Sequence, residues 1–360
     1  MPRKIKVHEM DRDEELGVIR KEITLPNVVF ETPSVSLKNI RRKRYPTTLT
    51  VNEVTKRIDQ KVINTLEEEG TTPFVRRIRS NFLPDKLNLA IFDLRFDSVP
   101  SKSGLITLAQ TLHASSDLTI FLPTVKSGLL KIDKRLSMEK IQQHIEMMKF
   151  IIEEIGSVGN NKEFIGTIPL IPIKFSRPII GLYHNKGIKS FAIDAGTKDV
   201  LLNEGDFRLI LSEINHESPL EEDFIYACNL GFSQFEEEEI RADDFLSLFA
   251  YVDVLGSSFK PRGGGLGMRG MKPRPKLFSR DRYSYKITTL PKVSEIVGEE
   301  ISYSSLKDYN RYEQLKETDE VRFRVGEESM KSHLMKKPAV DRLAIKRLES
   351  IASKLEMRLD

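Results

Sequence analysis

The sequence predicts an α/β protein built on a closed (β/α)8 TIM barrel. Two observations carry that expectation. Between about residues 87 and 260, short runs rich in Ile, Val and Phe alternate six times with stretches of helical period. Those short runs are apolar on both faces, as strands are in a parallel sheet covered by helices. A third observation, the lack of a G-x-G-x-x-G stretch after the first strand, disfavours the alternative, an open doubly wound sheet. With 360 residues, 39% of them hydrophobic, the chain is long enough for one large core or two modest ones.

In chain order, "GVIRKEITL" and "NVVFETPSV" read as a hairpin, and a capped helix is expected over Thr50–Glu69. Leu87–Asp93 is a buried strand, followed by a helix around Ser103–His113. Asp117–Thr124 is the next strand. It precedes a helix whose apolar stripe is Ile141, Ile145, Met148, Ile151, Ile152 and Ile155, with Ser137 as N-cap. Phe164–Ile171 is a strand, and the helix after it has Pro178 in its first turn and Gly187 at its stop. "IKSFAID", a helix at Gly205–Asn215, "FIYACNL", a helix at Ala242–Ala250 and "YVDVL" complete the series. Two helices, Ser304–Lys336 and Ala339–Arg358, end the chain on either side of Pro338.

The chain has 57 Lys+Arg against 53 Asp+Glu, a mild +4 that hides a patchy distribution. A single Cys excludes an internal disulfide framework and any multi-cysteine zinc site, and it suits a reducing, cytoplasmic setting. No apolar run approaches the ~20 residues of a membrane span, so no membrane partner is expected. The six histidines are scattered, with no two at i, i+4, so no metal and no cofactor is expected.

In a barrel, chemistry sits where strands end. Asp93, Asp97 and Asp194 fall there and are the candidate catalytic carboxylates, able to serve as base and acid; capping of the next helix is the bland alternative. The strongest signal is cationic. Lys260, Arg262, Arg269, Lys272, Arg274 and Lys276 lie in a glycine-rich stretch without an acid, and Arg41, Arg42, Lys43 and Arg44 form a second cluster. Such loops suit phosphate groups, and Tyr283 and Tyr285 just downstream are placed to stack on bases. A solvated loop is again the bland alternative, and a grip on a small phosphorylated metabolite is a third.

Several segments, in order, resemble the tRNA-guanine transglycosylases, especially the archaeal type. "ELGVIRKEITLPNVVFETPSVSL" is similar to their entry hairpin with its "ETPALLP", and "SSDLTIFLPTVKSG" to their "GSDIGVPLD" strand. "IGLYHNKGIKSFAIDAG" is similar to the helix leading to "GYAIGG", and "DFLSLFAYVDVLGSSF" to "ALGVDFFDSASY". The stretch from "LPKVSEIV" to "HLMKKPAV" tracks their zinc region, so the likeness spans most of residues 15–345. It implies a barrel with a zinc subdomain, and exchange of a guanine in tRNA for a 7-deazaguanine through an aspartate nucleophile and a second acid.

The sequence departs from that pattern where it matters. Gly256 stands at the nucleophile's position, in Leu255-Gly256-Ser257-Ser258, while Asp253 lies at the strand's start and is expected at the wrong end of the barrel. Lys292, Ser294, Val297 and Tyr309 stand where the four zinc ligands belong, and Asp194-Ala195-Gly196 where the substrate-lining glycines belong. The resemblance therefore implies an N-terminal extension at residues 1–14, a transglycosylase-like barrel at 15–330 and a C-terminal helix at 331–360, with helices in place of the zinc subdomain. The implied protein binds tRNA or another structured nucleic acid without standard base exchange, as a homodimer or as the non-catalytic partner of a catalytic transglycosylase. An active transglycosylase on tRNA or DNA, with rearranged carboxylates, is the alternative.

Overall fold

The computed structural model describes residues 5–13, 15–38, 50–95, 103–104, 106–108, 117–123, 138–157, 164–231, 238–259, 274–327 and 329–356. Among them, eight parallel strand positions close a barrel. The segment 34–38 pairs twice: Ser34–Val35 (β4) with Val254–Leu255 (β13), and Leu37–Lys38 (β5) with Val51–Asp59 (β6). One stretch of chain therefore sits between the last strand and the second and shuts the circle. Ser34 N donates to Asp253 O at 2.8 Å and Ser36 N to Leu255 O at 3.0 Å along the seam. From β6 the ladder runs through Leu87–Arg95 (β7), Leu118–Pro123 (β8), Phe164–Pro169 (β9), Ser190–Asp194 (β10) and Phe224–Cys228 (β11) to β13. The predicted α/β barrel is the observed fold.

Period-two alternation sorts the side chains. Val51, Leu89, Ile91, Ile120, Ile165, Ala192, Tyr226 and Val254 face inward, while Val54, Ile58, Ala90, Phe92, Phe121, Ile193 and Leu255 face the helices. Below the barrel, Lys6–Arg12 (β1), Ile19–Leu25 (β2) and Val28–Thr32 (β3) form a separate antiparallel sheet. This sheet is a plug. Ile23, Leu25 and Phe30 join the interior core, with the Phe30 and Phe224 rings edge to face at 6.4 Å. The predicted hairpin thus exists, but it gains its third strand from residues read as an extension, and the end of its second arm, Ser34–Val35, leaves it to enter the barrel.

One predicted helix is partly a strand. Val51–Asp59 pairs with β7 along its whole length, and the helix starts only at Gln60, where Asp59 accepts from Val62 N at 3.2 Å. Val51, Val54, Thr55 and Ile58 are β-branched, and both faces of the strand's first half are covered, which overrides the capping pattern. The helix expected over Ser304–Lys336 is two, Tyr303–Arg324 and Met330–Met335, separated where Gly326 takes a φ of 88°. The helix expected over Ala242–Ala250 is a single α-turn, Asp243–Leu246, followed by a 3-10 turn. Of the helix around Ser103–His113, residues 103–104 and 106–108 are helical and the rest lies outside the described residues.

The C-terminal helices complete the outer ring. Tyr303–Arg324 covers the seam, packing Leu315 on Leu37. Arg342–Glu356 lies on Glu204–Glu217, where Arg208 donates to Ser350 Oγ at 3.0 Å. Glu239–Arg241 (β12), Lys276–Ser279 (β14) and Ser284–Ile287 (β15) form a small sheet beside the barrel. Among the described residues, no helix is long and apolar enough to cross a membrane.

Candidate functional site in the barrel interior

At the mid-depth of the barrel a carboxylate takes an inward position on β6. Glu53 is fully buried, directly opposite Lys38 of β5 in the strand register. Its Oε1 accepts from Tyr226 OH at 2.6 Å, from Ser257 N at 3.0 Å and from the Ser36 hydroxyl. Three strands are thereby tied to one oxygen. Burial first, and then the Glu53 charge, push the Tyr226 phenol well above its ordinary range, so Tyr226 stays a donor. Among the described residues, the other oxygen, Oε2, is buried with no hydrogen-bond partner, and so is Thr55 Oγ1, two residues further along the same inward face.

The predicted nucleophile position is closed. Gly256 follows β13, and a Cβ there would lie 2.1 Å from Tyr226 OH and 2.8 Å from Ala227 O. Its N–H donates to Ala227 O at 2.7 Å, and its carbonyl accepts from Arg311 of the helix Tyr303–Arg324 at 2.7 Å. Any side chain at 256 must displace both a strand carbonyl and the phenol that holds Glu53. Asp253 lies at the opposite, lower end, as expected. There it pairs with Lys21 of β2 at 3.0 Å and accepts from Ile225 N at 2.7 Å.

Two of the three predicted carboxylates reach the mouth of the barrel. Asp93, 6% exposed at its side chain, accepts from Arg95 Nε at 2.7 Å, both residues standing on the inward face of β7. Asp194, at the end of β10, accepts from Asn229 Nδ2 at 2.9 Å and from Gly196 N at 3.0 Å. Asn229, held at a φ of 54°, in turn accepts from Phe259 N at 2.6 Å. This stitches the ends of β10 and β11 to the chain beyond β13, and Phe259 comes to rest against the interior core with Lys38 Nζ 5.4 Å from its ring centroid. Asp97 lies outside the described residues.

Of the predicted phosphate contacts, Arg274 is exposed and Lys276 is half-buried at the start of β14. Arg41, Arg42, Lys43, Arg44, Lys260, Arg262, Arg269 and Lys272 lie outside the described residues. The tyrosines expected to stack on bases do not face solvent. Tyr283 is fully buried, donating to Glu317 at 2.7 Å, and Tyr285 donates to Asp244 at 2.8 Å. Burial alone would raise Glu317, but hydrogen bonds from His333, Lys337 and Tyr283 outweigh it and bring it down to about 2. The positions aligned with zinc ligands sit in an apolar satellite. Val297 and Tyr309 pack on Leu277, Val293, Ile301 and Leu306, Ser294 Oγ accepts from Ile301 N at 2.9 Å, and Lys292 is exposed. That donor set does not fit a zinc ion.

Glu53 was missed in the sequence because the helix expected over Thr50–Glu69 places it on a helix surface. The β-branched content of "VNEVTKRID", with Asp59 as the cap that follows, was the signal for a strand.

No family model matches the chain, and no curated protein matches it. Solved structures do. It is similar to orotidine 5'-monophosphate decarboxylase from Methanocaldococcus jannaschii at 12% identity and a TM-score of 0.32, over 63% of this chain and 88% of that one. It is also similar to an HMG-CoA lyase from Acinetobacter baumannii at 13% identity and a TM-score of 0.36, over 77% of this chain and 88% of that one. The barrel itself rests on the strand pairing given above.

Proposed function

We propose that this protein binds tRNA or another structured nucleic acid on a transglycosylase-like barrel without carrying out standard base exchange. It does so as a homodimer or as the non-catalytic subunit beside a catalytic transglycosylase. The observation that carries this reading is the closure at Gly256. Displacing a base from ribose through a covalent intermediate needs a carboxylate at the strand end, and here that space holds the Tyr226 hydroxyl and a carbonyl. The two cationic sequence clusters, Arg41–Arg44 and Lys260–Lys276, supply the attraction for a polyanion, joined by exposed Arg342 and Lys346 on the last helix. Filter binding to bulk tRNA tests it: retention should fall at least about tenfold between low and physiological salt, because each neutralised phosphate releases counterions. Absent or salt-insensitive retention removes the reading.

A second reading, an active transglycosylase with rearranged carboxylates, draws support from the inward placement of Asp93 and Asp194 at the barrel mouth. It requires incorporation of labelled guanine or a 7-deazaguanine into tRNA or DNA, abolished by Asp93→Asn or Asp194→Asn. No incorporation, alone or with a partner transglycosylase, removes it.

A further inference from the structure

Beyond the end of β10, two carboxyl groups meet inside the protein. Asp199 is 5% exposed and Asp243 is 0% exposed. The chain that leaves β10 at Asp194 turns through Thr197, held at a φ of 75°, and reaches Asp199. Asp199 Oδ1 accepts from Leu201 N at 2.8 Å and from Leu202 N at 3.2 Å, which starts the turn into the helix Glu204–Glu217. Asp243 opens the short helix Asp243–Leu246, and its Oδ1 accepts from Arg241 Nε. Arg241 Nη1 also donates to Asp341 Oδ2 at 2.8 Å, and Asp341 Oδ1 accepts from Ala344 N at 2.7 Å in the first turn of the last helix.

Asp199 Oδ2 is buried and, among the described residues, has no donor. The side chain that Asp199 does bond is the carboxyl of Asp243. Ionised carboxylates only accept, so a hydrogen bond between the two needs a proton. Charge counting agrees. Arg241 divides its guanidinium between Asp243 and Asp341, while Lys198, half-buried beside Asp199 in the chain, is drawn to Asp206 in the first turn of Glu204–Glu217. Two ionised carboxyls in contact away from water repel strongly, and one retained proton turns that repulsion into a bond. Burial first, and then the hydrogen bond and charge of Asp243, push Asp199 up to about 7.

We propose that Asp199 and Asp243 share one proton as a pH-sensitive clasp, which holds the loop from Gly196 to Asn203 against Arg241–Asp243 and is released when the proton leaves for solvent. A proton needs no cavity. Once it is gone, two buried carboxylates face each other, and opening of the loop lets water reach both. The loop begins at Asp194, at the barrel mouth, so release loosens one side of that mouth. The proposal stands whether or not the protein binds nucleic acid.

Hydrogen–deuterium exchange of the full chain at about pH 5.5 and about pH 8.5, each rate corrected for intrinsic exchange, tests the clasp. Segments 195–203 and 241–246 should lose protection at least about tenfold at the higher pH, and at both pH values they should exchange faster than β7 and β11. Asp199→Asn, whose amide donates to Asp243 without titrating, should give these segments the same protection at both pH values. Equal protection of the native chain at both, or exchange of the segments only together with the strands, overturns the proposal. In the second case the carboxyls set overall stability and clasp nothing. Should Asp199→Asn fail to fold, Asp243→Asn takes its place: its oxygen still accepts from Arg241, its amide donates to Asp199, and the pH step should vanish. A step that survives either substitution contradicts the clasp.

Discussion

The barrel buries two acids, Asp253 at its lower end and Glu53 at mid-depth, and it treats them differently. At the lower end, Asp253 and Lys21 form an ion pair with both side chains almost fully buried. Lys21 Nζ places its three protons on Asp253 Oδ2, Leu220 O at 2.8 Å and Asp223 O at 2.9 Å. Asp253 is completed by Ile225 N and by Thr32 Oγ1 at 3.3 Å. The charge is closed on every side and locks the plug to the barrel. At mid-depth, Glu53 is bonded on one oxygen and, among the described residues, unbonded on the other. Completeness of hydrogen bonding separates the two acids, one bonded on both oxygens and the other on one.

The largest effect should come from breaking the closed pair. Lys21→Met leaves Asp253 buried without its cation and should destabilise the protein by about 3–5 kcal/mol, read from urea midpoints at constant m-value. A loss under about 1 kcal/mol would place that pair among ordinary surface contacts.

A carboxyl pair outside the barrel's axis gives the next effect. Burial first, and then the hydrogen bond and charge of Asp243, push Asp199 up to about 7. The folded chain thus holds a proton that the unfolded chain releases near the ordinary aspartate value of about 4. Stability from this proton is complete below that value and is lost as pH rises from about 4 through about 7. Asp199→Asn should remove a decline on the order of 2 kcal/mol across that window, compared as urea midpoints at its two ends. An unchanged pH slope in the variant would show that Asp199 ionises normally.

The smallest effect should be Glu53→Gln. The amide oxygen still accepts from Tyr226, Ser36 and Ser257, and the empty side had no bond to lose, so the stability change should stay near 1 kcal/mol. A cost equal to that of Lys21→Met would erase the contrast between the two acids.

Much of this barrel was legible as sequence, because buried parallel strands need apolar residues on both faces: Leu87–Asp93 and "FIYACNL" could be little else. The strand Val51–Asp59 was not, since "VNEVTKRID" mixes Glu53 and Asn52 among its β-branched residues and leads straight into a capped helix. With that strand misread, Glu53 was misplaced too. Asp93 and Asp194 were found because strand ends announce themselves, whereas the partners that occupy them, Arg95 and Asn229, depend on backbone geometry such as the positive φ of Asn229. Tyr283 and Tyr285 looked like stacking platforms beside a cationic loop. Their burial follows from contacts with Glu317, Asp244 and Gln314 that are distant in sequence.

The proposed binding of tRNA without base exchange is decided by tRNA retention and labelled-guanine incorporation, measured on one preparation across a salt series. If the proposal holds, retention collapses as salt rises and no label enters the tRNA at any concentration. Label incorporated by the purified chain, or retention indifferent to salt, rules the proposal out.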